Sequence, residues 1–257
     1  MQWQGARVVV TGAGRGIGRA LAERAAAEGA QVLVNDLDPQ TAADAAAAVG
    51  GTSYAGDVST TQGAAGLVDA AFEHLGGIDV FFANAGVDLG GGLDASDEDW
   101  ARSLDVNVMA HVRTARALVP RWLETGAPGR FVVTASAAGL LTMIGAAPYS
   151  VTKHAAVAFA EWLSITYADQ GVTVHAICPQ GVNTAMLQGS GPVQGLLSHD
   201  AAIEPADVAD AAWAAIEEGS FLILPHPEVA GYYAARAADT DRWLGGMRKL
   251  QRKVFGA

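Results

Sequence analysis

Tyr149 and Lys153 lie four residues apart, directly after Pro148, in the segment PYSVTKHAAVAF (148–159). Residues at i and i+4 share one face of a helix, and proline is tolerated in a first helical turn. A nearby ammonium group favours the phenolate form of tyrosine and lowers its pKa from about 10. A phenol tuned in this way could exchange protons as a general acid or base. Taken alone, the same spacing is more typical of an amphipathic pair on a helix surface, so only the rest of the sequence can distinguish a catalytic pair from a surface pair.

A glycine-rich segment, TGAGRGIGRA (11–20), follows the first apolar run. Glycine lets the backbone turn tightly and approach a ligand, and the N-terminus of a following helix offers N–H groups to a pyrophosphate. Asp36 ends the second apolar run, where a carboxylate can bind ribose hydroxyls and repel a 2′-phosphate. Arg15 could instead meet an extra phosphate, and Asp36 could be a turn or N-cap residue. We predict a dinucleotide site that prefers NAD(H) to NADP(H).

Short β-branched runs alternate with alanine-rich helical patterns along the chain. The predicted strands are 7–11, 31–36, 52–55, 78–83, 130–135, 172–177 and 221–224. The predicted helices lie near 16–29, 39–49, 60–75, 97–124 and 205–218, with one more carrying Tyr149 and Lys153. This alternation predicts an α/β, doubly wound (Rossmann) fold, in which a seven-stranded parallel sheet has helices on both faces. We expect a single domain over 1–257, because no composition break or repeat divides the chain.

Two segments depart from this alternation. Residues 186–204 combine Gly, Ser and Pro with leucines and predict a loop, either a plain connection or a lid beside the substrate. Residues 228–255 are predicted to form a C-terminal docking helix. Its apolar stripe would pack on the same chain or on a partner subunit, and comprises Trp243, Met247, Leu250 and Val254.

Composition restricts the classes of partner. The formal net charge is −11 and the pI is about 4.8, which disfavours nucleic acid and anionic membranes. A single cysteine, Cys178, excludes an intrachain disulfide and is expected to be a buried structural thiol. The six histidines show no metal-ligand spacing, so no metal is expected. The start resembles no signal peptide and no apolar run approaches about 20 residues, so we expect a cytoplasmic protein.

Taken together, the motifs resemble the short-chain dehydrogenase/reductase family, in its short single-domain branch, over nearly the whole chain. The matching segments are TGAGRGIG (11–18), DV (57–58), ANAG (83–86), Asn107, Ser136, YSVTK (149–153) and PQGVNT (179–184). Their order and spacing are much more specific than any one of them. The resemblance implies an NAD-dependent enzyme that interconverts a secondary alcohol and a ketone by hydride transfer, assembled as a homodimer or homotetramer.

The resemblance also implies a role for each matching residue. Tyr149 would exchange a proton with the substrate oxygen, Lys153 would lower the pKa of Tyr149 and hold the nicotinamide ribose, and Ser136 would hydrogen-bond the substrate oxygen. Asn107 would interrupt its helix and hold a water that links Lys153 to solvent. The cofactor would be bound by Gly12, Arg15, Gly16, Ile17, Gly18, Asp36, Leu37, Asp57, Val58, Asn84, Ala85, Gly86, Tyr149, Lys153, Pro179, Gly181, Val182 and Thr184.

The substrate pocket is expected to be largely apolar and to lack a cluster of Arg or Lys. Its predicted residues are Ala138, Met143, Gln180, Met186 and Leu187. We therefore expect an uncharged, largely apolar alcohol or ketone, although Asp88 could instead favour a polyol or an amine. Gln180 stands where the family usually has glycine, and LPHPEV (224–229) replaces the usual glycine-rich ending. These departures leave pocket shape and the choice between dimer and tetramer open.

Other functions fit less well. A cofactor-sensing, catalytically silent protein would keep the fold, but it predicts a broken Tyr149–Lys153 pair. A nucleotide-sugar epimerase or dehydratase would need a larger substrate domain than 257 residues allow. A Ser-His-Asp hydrolase does not fit, because Ser136 lies in TASAA and not in a nucleophile elbow.

Overall fold

The computed structural model describes residues 2–189, 191, 194–197 and 202–256. Within these residues, seven strands form one parallel sheet in the order β3-β2-β1-β4-β5-β6-β7. The strands are β1 (Arg7–Thr11), β2 (Gln31–Asp36), β3 (Thr52–Ala55), β4 (Val80–Ala83), β5 (Gly129–Thr134), β6 (Val172–Ile177) and β7 (Leu222–Ile223). The predicted fold class is confirmed.

The described helices connect these strands and continue beyond the last one. They are α1 (Gly16–Ala27), α2 (Pro39–Ala48), α3 (Thr61–Leu75), α4 (Asp97–Leu104), α5 (Ala110–Thr125), α6 (Ala138–Leu141), α7 (Ala147–Tyr167), α8 (Ala185–Gln188), α9 (Gln194–Leu197), α10 (Pro205–Glu218), α11 (Glu228–Ala238) and α12 (Thr240–Phe255). A π-helical turn (Asp105–Met109) joins α4 to α5.

Helices cover the sheet on both faces, so successive strand residues enter two different cores. Val9 packs with Phe81 and Phe131 on one face, whereas Val8 and Val10 pack on the other. Both faces of β1 are therefore buried, which explains why its central residues, Val8–Val10, are all apolar and do not alternate with polar ones.

The strand order reverses between β1 and β4, where the chain returns from β3 to the other side of β1. In open α/β sheets, ligands bind outside the carboxyl ends of the strands at such a switch point. The glycine-rich turn after β1, Asp36 at the end of β2, Asn84 after β4 and Ser136 after β5 all lie at this edge. The fold thus gathers the predicted site residues.

Two predicted helices are each interrupted. The helix expected over 97–124 comprises α4, the π-helical turn and α5. The helix expected over 228–255 is two helices, because Asp239 takes non-helical angles (φ −150°, ψ 86°) and its side chain accepts a hydrogen bond from the N–H of Arg242. A short polar side chain that caps the next helix favours such a break. The prediction of one C-terminal helix was therefore wrong.

Candidate active site

The glycine-rich turn needs glycine for two reasons. Gly12 and Gly16 have φ values of +59° and +58°, a conformation that side chains disfavour. A Cβ on Gly18 would lie 2.3 Å from the Gly12 carbonyl oxygen and 2.5 Å from the Asn84 amide nitrogen. α1 begins at Gly16 without a side-chain cap from Arg15. The first N–H groups of α1 therefore remain available to an anion.

Asp36 closes the other side of this turn. Its Oδ2 accepts a hydrogen bond of 2.9 Å from the N–H of Gly14, and its Oδ1 accepts one of 3.3 Å from the N–H of Asp38. Leu37 beside it is 65% exposed. Asp57 and Val58 lie along the same edge of the cleft. This end of the cleft therefore presents a fixed carboxylate and an apolar surface, as an adenosine group needs.

Asn84 and Ala85 tie the end of β4 to the end of β1. The Thr11 hydroxyl accepts from the N–H groups of Asn84 (2.9 Å) and Ala85 (3.0 Å), and the Asn84 amide donates to the Thr11 carbonyl (2.9 Å). A Cβ on Gly86 would lie 3.3 Å from both Asn107 Oδ1 and Lys153 Nζ. The backbone here therefore passes close to the Lys153 ammonium.

Tyr149, Lys153 and Ser136 meet between β5 and α7. The Ser136 hydroxyl lies close enough to the Tyr149 phenol to lower its pKa by hydrogen bonding. Lys153 Nζ donates to the Thr134 carbonyl at 2.8 Å and lies 5.6 Å from the centre of the Tyr149 ring. Lys153 is 3% exposed and Ser136 is 8% exposed. Two hydroxyls and an ammonium thus converge in a site largely shielded from water.

Asn107 lies in the π-helical turn and is fully buried. Its Oδ1 accepts from the N–H of Val87 (2.8 Å), and its Nδ2 donates to the Val87 carbonyl (2.8 Å) and the Thr152 hydroxyl (3.0 Å). π-helical turns are frequent at functional sites. The predicted helix interruption is present, and the Asn107 side chain joins the loop after β4 to the helix that carries Tyr149.

The electrostatics of the pair differ from the sequence-based expectation. Tyr149 is only partly exposed to the cleft. Burial raises its pKa to about 12; the Ser136 hydrogen bond lowers this pKa, and Asp88 raises it. Burial also lowers the pKa of Lys153 to about 8. The expectation that Lys153 lowers the Tyr149 pKa is therefore not met here, because desolvation disfavours the charged form of each group.

Two further buried groups lie near this pair. Burial first, and then the charge of Lys153, lowers the pKa of His111 to about 3, so this imidazole is neutral at physiological pH. Burial raises the pKa of the free thiol of Cys178 to about 12. A protonated, buried thiol is unreactive, which agrees with the predicted structural role of Cys178.

One continuous cleft of about 2070 Å³ runs along this edge of the sheet. Every predicted catalytic, cofactor and substrate residue lines it except Asn107, which is buried behind the lining residues. Single-ligand pockets are typically about 300–1,000 Å³, so the cleft can take a dinucleotide and a substrate together. Part of the predicted 186–204 loop lies outside the described residues, but Met186 and Leu187 line the cleft.

The C-terminal helices also line this cleft, which the sequence did not indicate. Tyr232 of α11 and Trp243, Met247, Leu250 and Lys253 of α12 line it. The rings of Tyr232 and Trp243 lie 6.4 Å apart. Three residues of the stripe predicted for docking therefore face the cleft of their own chain. The i, i+4, i+7 spacing of the stripe was the available signal, but spacing alone does not reveal the surface that a helix covers.

Among the described residues, no group of three or more acidic, histidine or cysteine side chains could hold a metal ion. Across those same residues, none of the helices combines the length and the apolar character needed to cross a membrane.

Comparison with known proteins agrees with this geometry. The family model described as short chain dehydrogenase matches residues 6–194. A 1-deoxy-11-beta-hydroxypentalenate dehydrogenase of Streptomyces exfoliatus is 36% identical, over 89% of this chain and 86% of that protein. A 3beta-hydroxysteroid dehydrogenase of Eggerthella lenta is 31% identical, over 85% of this chain and 90% of that protein. A short chain dehydrogenase/reductase from Burkholderia phymatum, solved in complex with NAD, superposes with a TM-score of 0.87 at 30% identity and covers 94% of this chain and 96% of that one.

Proposed function

The chain belongs to the short-chain dehydrogenase/reductase family and is an oxidoreductase of the alcohol/ketone class, and from this premise we propose an NAD-dependent enzyme in which Tyr149 is the general acid/base. The proposal rests above all on one observation. Tyr149, Ser136 and Lys153 meet in the same cleft as a glycine-rich helix N-terminus and the Asp36 carboxylate. A catalytically silent cofactor sensor would not need to keep this arrangement.

In ketone reduction, the Tyr149 phenol would donate its proton to the substrate oxygen, and the Ser136 hydroxyl would hydrogen-bond that oxygen. Preplaced donors aimed at developing negative charge commonly supply the largest catalytic contribution. The bound nicotinamide would supply or accept the hydride, and the positive charge of its oxidised ring would favour the phenolate needed for alcohol oxidation. With a pKa near 12, Tyr149 is protonated at neutral pH, which is the form that reduction needs.

Two features support NAD(H) as the cofactor and the cytoplasm as the location. The Asp36 carboxylate, held by the Gly14 N–H, would accept hydrogen bonds from the ribose hydroxyls and repel a 2′-phosphate. We therefore propose that the cofactor is NAD(H). The dinucleotide would lie with its pyrophosphate at the start of α1 and its nicotinamide between Tyr149 and the 179–184 segment. A single reduced cysteine agrees with a cytoplasmic location, which we also propose.

The substrate is proposed to be a bulky, largely apolar alcohol or ketone. An apolar wall is supplied by Leu141, Met143 and Met186 and, from α12, by Trp243, Met247 and Leu250. The partly buried Asp88 raises the pKa values of both Tyr149 and Lys153 through its negative charge. The same charge would disfavour an anionic group next to the reacting carbon. Two of the relatives are named as dehydrogenases of a hydroxypentalenate and of a 3beta-hydroxysteroid.

Replacing Trp243 by alanine is expected to raise KM for bulky ketones by about ten-fold, since full burial of a large apolar side chain contributes about 1.5–3 kcal/mol. KM for small ketones should change little, because they do not reach α12. Leu244→Ala is the matched control, since Leu244 is 47% exposed on the same helix and does not line the cleft. Steady-state kinetics on ketones of graded size test this. An equal rise in KM for small and bulky ketones would contradict the proposed wall.

We further propose self-association through α7. Val151, Trp162 and Ile165 are 51%, 53% and 85% exposed on this helix. They are spaced as one helical stripe, and exposed apolar patches of this kind mark interaction surfaces. A homodimer or homotetramer would bury them.

Ile165→Glu is expected to shift the protein toward monomer in sedimentation velocity, because a desolvated carboxylate in an apolar interface is costly. Ala43→Glu adds the same charge on exposed α2 and should leave the oligomer intact. A wild-type protein that sediments as a monomer at micromolar concentration would contradict the interface.

The proposed activity is tested by following nicotinamide absorbance with a panel of alcohols and ketones. We expect NADH-dependent turnover of apolar secondary alcohols or their ketones. Turnover confined to sugar phosphates or acyl-carrier thioesters would overturn the substrate proposal. Coenzyme binding without turnover of any panel member would favour the silent sensor.

A further inference from the structure

His226 lies in the LPHPEV segment that stands in place of a glycine-rich ending, between β7 and α11. It is 3% exposed. Its Nδ1 accepts a hydrogen bond of 3.1 Å from the N–H of Gln180, and its Nε2 lies 3.1 Å from the carbonyl oxygen of Gly181. Both ring nitrogens therefore bond to the backbone of one short segment, 179–184.

These two bonds fix the tautomer of the imidazole. A backbone N–H can donate only to an unprotonated Nδ1, and a carbonyl can accept only from a protonated Nε2. The ring is therefore neutral, with its hydrogen on Nε2. The Gly181 carbonyl also accepts from the N–H of Ile203 at 3.1 Å, which its second lone pair allows.

The segment that His226 holds joins the two halves of the cleft. At one end, the Pro179 carbonyl accepts from the N–H of Ala137 at 2.8 Å, directly beside Ser136. At the other end, the Thr184 methyl lies 3.3 Å from where a Cβ on Gly16 would be. Gln180 and Gly181 lie between these two points. A change in their backbone would move the wall next to Tyr149 while leaving the Asp36 end of the cleft in place.

His226 also anchors the helix that follows it. Its carbonyl accepts from the N–H of Val229 at 3.1 Å, in the first turn of α11, and Val229 is fully buried. α11 and α12 supply Tyr232 and Trp243 to the cleft. His226 therefore meets the 179–184 segment through its side chain and the start of the C-terminal wall through its backbone carbonyl.

We propose that His226 is a positioning residue that holds the 179–184 segment in the shape that binds the nicotinamide half of the coenzyme. This inference rests on the proposed function, since it assumes that the cleft binds NAD(H). Because the two hydrogen bonds run to backbone atoms on one side of the cleft, the role is local. The adenosine half, bound at Asp36, should not depend on it.

The test compares NADH with AMP, which carries only the adenosine half, in wild type, His226→Ala and His226→Gln. We expect His226→Ala to raise the Kd for NADH by about ten-fold, equivalent to about one lost hydrogen bond to the backbone. The Kd for AMP should stay within about two-fold. Glutamine offers an acceptor and a donor on one amide, so His226→Gln should recover most of the NADH affinity.

If His226→Ala caused a general structural defect, it would weaken the binding of NADH and of AMP equally, and that result would overturn the proposal. An unchanged affinity for NADH in His226→Ala would also overturn it. If the alanine variant does not fold, nitrogen-15 NMR of the histidine-labelled wild type tests whether His226 makes the proposed hydrogen bonds. It should show His226 with the hydrogen on Nε2, and a hydrogen on Nδ1 would contradict the proposed bonds. Wild-type protein that binds no NADH would instead remove the proposed function, so the two failures are distinguishable.

Discussion

Tyr149→Phe is expected to lower kcat by about 10²–10⁴-fold, the usual contribution of a positioned general acid or base. The substitution removes the phenolic hydroxyl that Ser136 hydrogen-bonds and leaves the ring beside Lys153. Since the phenol exchanges a proton only as the hydride moves, its loss should affect the transition state far more than coenzyme binding. The Kd for NADH should therefore stay within about three-fold of the wild-type value.

The matched control is Tyr232→Phe, which removes the hydroxyl of another tyrosine in the same cleft. We expect its kcat to stay within about three-fold of wild type, because Tyr232 belongs to the substrate wall on α11. Stopped-flow measurement of nicotinamide absorbance reports the chemical step in both variants. A Tyr149→Phe enzyme with unaltered kcat would contradict the assigned role, whatever the coenzyme affinity.

Asp36→Asn is expected to reduce the preference for NADH over NADPH by about 10- to 100-fold in kcat/KM. Two charges about 4 Å apart interact by about 4 kcal/mol at the effective dielectric of a protein surface, and the carboxylate is the negative charge that a 2′-phosphate would meet. Asparagine keeps an oxygen that can accept from the Gly14 N–H, so the glycine-rich turn should keep its shape.

Asp38→Asn serves as the control for this change in net charge. Asp38 is exposed and caps α2 by accepting from the N–H groups of Gln40 and Thr41, each at 2.9 Å. Asparagine caps helices about as well as aspartate. If Asp36→Asn and Asp38→Asn changed the coenzyme preference equally, the effect would be due to overall charge. Asp36 would then not be the discriminating residue.

The sheet and most of the cleft could be predicted because each element carries a strong local signal. The centre of β1, Val8–Val10, is wholly apolar, and two glycines of the turn after β1 have conformations that few other residues adopt. Ser136 and Tyr149 are thirteen residues apart in sequence, and the chain that runs from β5 through α6 to α7 brings them together. Strand ends in a parallel sheet meet at one edge, so their order along the chain already placed the site.

The remaining features depend on tertiary burial, which a sequence pattern does not show. The pKa of Tyr149 was expected to fall because Lys153 is near, but desolvation raises it. Asp239 could have been a polar residue within a helix, and only its backbone angles show that it begins a new one. The stripe of α12 predicted a contact but not the surface that it faces. His226 gave no signal at all until its two backbone partners were in place.

The most direct test of the central claim uses NADH carrying deuterium at both C4 positions, with the best ketone from the panel. We predict that mass spectrometry of the product alcohol shows one deuterium on the carbinol carbon and that one NADH is consumed for each alcohol formed. The hydroxyl hydrogen should come from solvent, by way of Tyr149. An alcohol formed without deuterium on that carbon would contradict hydride transfer from the nicotinamide and, with it, the proposed function.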